Sequence, residues 1–173
     1  MSHRRSGERN WLSLLTALFG WRLDTETQPR LGGRSIFSRS IFLRHLDGGS
    51  TNAPEMELAA LSNPIYDLAQ YGIHFVPSPR HADILIVTGP LTWNMLGPTL
   101  ATFEAMPEPK RIVTVGDCAS FSEQDASPDC PFSESYAVAD LPSEMKTKIA
   151  AHVAGDPPTP RAIIQSLLRL DKK

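Results

Sequence analysis

The side chains able to do metal or acid–base chemistry are few and widely spread. The segment HLDGGSTNAPEMEL, residues 45 to 58, has the layout of a metal-binding loop: a small-residue turn, a proline, then acidic residues opening an apolar helix. It contains no cysteine. The two thiols of the chain are Cys118 and Cys130. Together with His152 and Asp156 they make a conceivable zinc set, because zinc takes four thiolate, imidazole or carboxylate ligands. Isolated Cys and His are more often structural, so two unpaired thiols are the expectation. Glu55 could pass protons as a positioned carboxylate. It could also simply complement the positive end of a helix, at about 0.3–1 kcal/mol. Asp117 and Asp156 are expected as turn residues and caps. Neither Gly-x-Gly-x-x-Gly nor Gly-x-Ser-x-Gly occurs, so a phosphate-cradling loop and a nucleophile elbow are both unsupported.

The elements that must position these residues read as an α/β alternation. SIFLRHL (40–46) is a first strand, and Asp47 to Ala53 turn out of it. Pro54 suits the first turn of a helix, where its missing N–H costs nothing. That helix runs through MELAALSN to Pro64, and a second helical piece, IYDLAQYG, ends at Gly72. IHFV is a short strand. DILIVTG (83–89) is a continuous β-branched run of the kind buried on both faces of a parallel sheet. Residues 92–106 carry apolar side chains at helical spacing, with a Gly-Pro interruption at 97–98, and RIVTV (111–115) is the next buried strand. The last helix starts after GDPP, with Thr159 as N-cap and Pro160 behind it. The order predicts a doubly wound parallel sheet, whose ligands gather at loops leaving the strand C-termini. Those loops are 47–54, 89–91 and 116–123.

Composition narrows the classes. At 173 residues the chain fits one domain with extensions, and its net charge of −2 gives no electrostatic case for nucleic acid. No apolar run approaches the roughly 18 residues of a membrane span. The N-terminus differs in character. Arg4, Arg5 and Arg9 precede WLSLLTALFGW (11–21), which is apolar nearly all round. A signal peptide shares that layout but needs a small-residue cleavage site, which is missing. A helix at about 8–21 could lie along a membrane surface or in a partner's groove, or fold onto its own domain. Residues 1–39 are therefore expected as an arm and 40–173 as the domain.

Three stretches carry a resemblance: SNPIYDLAQYGIHFVPSPRHADILIVTGPLTWNM, MPEPKRIVTVGDCA and GDPPTPRAIIQSLLRL. Over residues 40 to about 170 the chain resembles the 20 kDa subunit family of respiratory complex I. It is most similar to the small subunits of membrane-bound group 4 nickel–iron hydrogenases, of the hydrogenase-4 and formate hydrogenlyase type. The resemblance implies a flavodoxin-like fold with one 4Fe-4S cluster, the terminal one of its chain, next to a large subunit with a quinone or nickel–iron site. The family's four cysteine positions fall on Thr51, Pro54, Cys118 and Asp156, so three of the four thiolates are missing. Proline has no donor atom, and the threonine hydroxyl is a weak, normally protonated ligand. Such clusters are held by four thiolates, with His or a carboxylate occasionally replacing one.

The implied function is a cluster-free structural subunit without catalytic activity of its own. It would bridge a hydrogenase-like or complex I-like large subunit and antiporter-like membrane subunits, peripherally on the cytoplasmic side of the inner membrane. One alternative is an electron-transfer subunit that still binds a 4Fe-4S cluster. Another is an independent α/β ligand-binding module. Glu55 stands where the family places a proton-passing glutamate. Trp11, Leu15, Phe19, Trp21, Arg80, His81 and Trp93 are the interface candidates, Trp93 being expected to pack on the domain rather more than on a partner. Thr51, Met56, Trp93, Phe121 and Asp156 are the side chains expected to fill the space around the lost cluster.

Overall fold

A computed structural model describes residues 40–119, 130, 132 and 135–170. The expected arm with Trp11, Leu15, Phe19 and Trp21, and also Phe121, lie outside the described residues.

Five parallel strands form one sheet: β1 (Ile41–Asp47), β2 (Ile73–Phe75), β3 (Ile84–Thr88), β4 (Arg111–Val115) and β5 (Ile149–Val153). Their order in space is β2-β1-β3-β4-β5, the flavodoxin-like doubly wound arrangement. All five residues of β3 are buried, as an apolar strand flanked on both sides and covered on both faces must be. Register follows the side-chain alternation. Leu43, His45 and Asp47 pair with Ile84, Ile86 and Thr88, and so share one face. Leu46, Leu85, Val87 and Ile112 point to the other face. There they pack with Leu91, Phe103, Met106, Ala139, Leu141 and Met145 into a continuous core.

Among the described residues four helices complete the layers: α1 (Ala53–Ala60), α2 (Trp93–Ala105), α3 (Ser143–Lys146) and α4 (Pro160–Leu170). In α4, Ile163, Ile164, Leu167 and Leu168 recur at helical spacing and are buried. Thr159 opens α4 as expected, its Oγ1 accepting from Ala162 N at 3.3 Å.

Two expectations need correction, and one strand was not expected. Residues 64–72 hold no α-helix, only turns and a short 3₁₀ turn, Leu68–Tyr71. Positive φ at Asp67 (33°) and Gly72 (70°) breaks the helical ladder, and Asn63 Oδ1 accepts from Ile65 N and Tyr66 N instead. The Gly-Pro pair at 97–98 does not interrupt α2, which runs through it. Gly97, Pro98 and Asn94 are all exposed, so the carbonyl that Pro98 releases faces solvent and loses little. Finally, IAAHV forms β5 along β4, in a stretch with no sequence expectation of a strand.

Candidate functional site

The loops after β1, β3 and β4 and the loop before α4 meet at the C-terminal end of the sheet. Two glycines allow the approach. Gly89 has φ +67°, and a Cβ there would lie 2.4 Å from Ser50 Cα. Gly116 has φ +100°, and a Cβ there would lie 3.0 Å from Pro54 Cγ. The proline ring thus sits directly over the backbone leaving β4. Asp47 fixes the first loop, its Oδ1 accepting from Gly49 N and Ser50 N at 2.8 Å each. Thr92 Oγ1 donates to Gly48 O at 2.9 Å, tying the β1 loop to the β3 loop.

The four expected ligand positions are brought together, though not as a ligand set. Thr51 Oγ1 donates to Asp156 Oδ1 at 3.2 Å. Pro54 is buried against Gly116. Asp117 Oδ1 accepts from Gly155 N at 2.6 Å and so joins the β4 loop to the loop before α4. Asp117 and Asp156 therefore act as loop ties between segments distant in sequence. Cys118 is bonded to Cys130 in a disulfide. This corrects the expectation of two unpaired thiols: Cys118 is paired with a residue 12 positions away.

The cluster that the family resemblance implies does not fit these residues. Thr51 offers a protonated hydroxyl already engaged with Asp156, Pro54 offers no donor, and the Cys118 sulfur is spent in the disulfide. Nor does the zinc set form. His152 lies on β5, where its Nδ1 and the Thr114 hydroxyl share a hydrogen bond of 2.8 Å. Among the described residues no group of three or more His, Cys, Asp or Glu could hold a metal ion.

The space around the site is filled differently from expectation. Thr51 and Asp156 are exposed and meet through their hydrogen bond, and Met56 is 66% and Trp93 61% exposed, so none of the four packs inward. Pro54 takes their part. Trp93 opens α2 and donates its backbone N–H to Ala137 O at 3.0 Å, beside Tyr136, which is 95% exposed. Arg80 and His81 are exposed on a 3₁₀ turn before β3, at the opposite end of the strands. The structure does not bring them to the site.

Glu55 makes a polar track on the α1 side. It accepts from Ser50 Oγ, and its Oε1 lies 3.7 Å from His45 Nε2. His45 Nε2 also shares a 3.0 Å hydrogen bond with the Thr88 hydroxyl. Sequence reasoning missed His45, because a lone histidine inside a strand carries no local signal. Burial holds its pKa below the ordinary value, outweighing the raising effect of Glu55 and Asp47. The unfolded chain therefore binds the proton more readily. Stability contributed here is present above the unfolded value of about 6.5 and falls as pH drops below it, by at most about 1.4 kcal/mol per pH unit. His45→Gln should flatten the urea-midpoint profile between pH 7 and 5; an unchanged slope would show that His45 is not its source.

The family pattern described as NADH ubiquinone oxidoreductase, 20 Kd subunit, matches residues 52–170. The chain belongs to this 20 kDa subunit family. Its relatives agree with that assignment. It is 34% identical over 138 residues to the probable membrane-bound hydrogenase subunit mbhJ of Pyrococcus furiosus, covering 79% of this chain and 78% of that one. It is 38% identical over 120 residues to an NADH-quinone oxidoreductase subunit of Heliobacterium modesticaldum, covering 68% of this chain and 63% of the other. Among solved structures, a chain of the membrane-bound sulfane sulfur reductase, an archaeal respiratory membrane complex, superposes with a TM-score of 0.60 at 24% identity. That match covers 78% of this chain and 70% of the other, and supports the fold alone. The 20 kDa subunit family thus supplies the frame.

Proposed function

We propose that this 20 kDa-type chain is a cluster-free structural subunit of a membrane-bound hydrogenase-like or complex I-like assembly. It joins a hydrogenase-like large subunit to membrane subunits, peripherally on the cytoplasmic face, and performs no redox step through iron. The observation that carries this reading is the replacement at the ligand positions. Side chains other than thiolates hold the loops instead, through the Thr51–Asp156 hydrogen bond and the packing of Pro54 on Gly116. A site that had merely decayed would not need complementary partners across 105 residues of sequence. Among the described residues no helix is long and apolar enough to cross a membrane, which accords with a peripheral place. Glu55, beside His45 and Ser50, is assigned a loop-fastening role, with proton transfer to a partner as its secondary use.

The test is iron and acid-labile sulfide analysis of the purified assembly, with low-temperature electron paramagnetic resonance on the reduced sample. No cluster signal assignable to this chain is expected. About four irons per copy would sink the reading.

The partner-facing surface is assigned to the exposed aromatics at the same sheet end, Trp93 and Tyr136. Large aromatics left this exposed on a subunit mark interaction sites. Trp93→Ala combined with Tyr136→Ala should weaken capture of the large subunit in co-purification by at least about 30-fold, on the order of 2 kcal/mol for the pair. Full retention would remove this surface from the interface. Arm residues 8–21 are assigned to a partner or the membrane surface. A chain lacking residues 1–21 should lose its membrane association in fractionation, and retained assembly would refute that role.

A further inference from the structure

We propose that Cys118 and Cys130 form a reversible dithiol–disulfide site that exchanges two electrons with a dithiol. The proposal rests on the proposed function in two respects, that Cys118 is not an iron ligand and that the chain lies on the cytoplasmic face. Three observations carry it.

The first is position. Cys118 lies on the one-turn segment Asp117–Ala119, directly after β4, at the sheet end where ligands of this fold gather. Its Cα is 5.0 Å from that of Cys130. The second is asymmetric access. Cys118 is half-buried, whereas Cys130 is only 8% exposed, so an incoming thiolate meets the Cys118 sulfur first. The third is redundancy. The turn bearing Cys118 is already held by Gly116 N donating to Val153 O at 2.9 Å and by the Asp117–Gly155 hydrogen bond. The bond between the sulfurs is therefore not needed to keep Cys118 in place, and its opening leaves the turn standing. On the cytoplasmic face, where thiols are kept reduced, a disulfide is seldom a permanent brace and is usually transient and redox-active.

The exchange balances as an ordinary thiol–disulfide reaction. One thiolate of the dithiol attacks Cys118 Sγ, the sulfur–sulfur bond breaks, and Cys130 leaves as a thiolate that takes up a proton. The second thiol of the dithiol then attacks the mixed disulfide and releases Cys118. Two electrons and two protons pass to the pair, and the dithiol becomes a disulfide.

The experiment uses the full chain in its assembly, under native conditions, first with excess reduced dithiothreitol and then, after its removal, with oxidised glutathione. The sample is quenched in acid and alkylated, and the peptides bearing the two cysteines are quantified by mass spectrometry. Labelling should rise from none to both thiols together with reduced dithiothreitol, and return to none with oxidised glutathione. In Cys130→Ser, Cys118 should label without reductant and accept a mixed disulfide from oxidised glutathione. A pair that resists native reduction and opens only on unfolding would overturn the proposal by making the bond a permanent brace. Thiols that stay free against excess oxidised glutathione would overturn it too. Iron measured on the same sample separates the two readings. Iron at Cys118 refutes the cluster-free reading as well, whereas a resistant disulfide without iron refutes the exchange site alone.

Discussion

A chain carrying Thr51→Cys, Pro54→Cys, Asp156→Cys and Cys130→Ser is expected to take up about four irons and four sulfides on reconstitution, and to absorb broadly near 400 nm, where the parent chain takes up none. The geometric ground is that the loops still converge. Thr51 and Asp156 are already within hydrogen-bonding distance, at 3.2 Å, and Pro54 already lies against the glycine that precedes the Asp117–Cys118 turn. Replacing Pro54 costs little locally, because the first helical turn leaves its N–H unpaired in any case. The fourth change matters as much as the other three. With Cys130 present, an oxidised Cys118 is withheld from iron, so the triple variant reconstituted without reductant should hold markedly less. Iron content and absorbance are the readouts. A quadruple variant that folds by circular dichroism yet binds no iron would show that the loops have moved apart beyond the reach of thiolates.

The second large effect is expected at Gly89. Gly89→Val should lower the unfolding free energy by about 2–5 kcal/mol, read as a shift in the urea midpoint at unchanged slope. Two causes add. The residue sits at φ +67°, a conformation that costs a β-branched residue strain, and its Cβ would fall 2.4 Å from Ser50 Cα. The obstructing atoms are backbone, so no rotamer change relieves the clash. The β1 loop must move off the β3 loop, carrying Thr51 and Ser50 with it. A change below about 0.5 kcal/mol would mean that these loops yield easily, and the packed site described above would then be wrong.

Much of the frame was legible from local pattern alone. β3 and β4 announce themselves because a strand buried on both faces must be apolar at every position, and ILIVT and RIVTV nearly are. α4 shows in the spacing of Ile163, Ile164, Leu167 and Leu168 with Thr159 and Pro160 before them. β5 was not legible. IAAHV is short, only its last residue is fully buried, and its strand character comes from the ladder that β4 offers it. The stretch at 64–72 misleads for the converse reason: its composition suits a helix, but Pro64 and the left-handed Asp67 and Gly72 settle on turns.

The site divides along the same line. Residue identity by itself determined that Pro54 cannot ligate iron and that the chain has two thiols in all, since donor atoms are a property of the side chain. Only the tertiary structure decided what took their place. Thr51 finds Asp156 across 105 residues, and Asp117 finds Gly155 across 38. Such pairings depend on how the parallel strands bring their C-terminal ends to one edge of the sheet. No window of sequence contains that information, because the distances that matter are set by the ladder between strands and not by the chain that connects them.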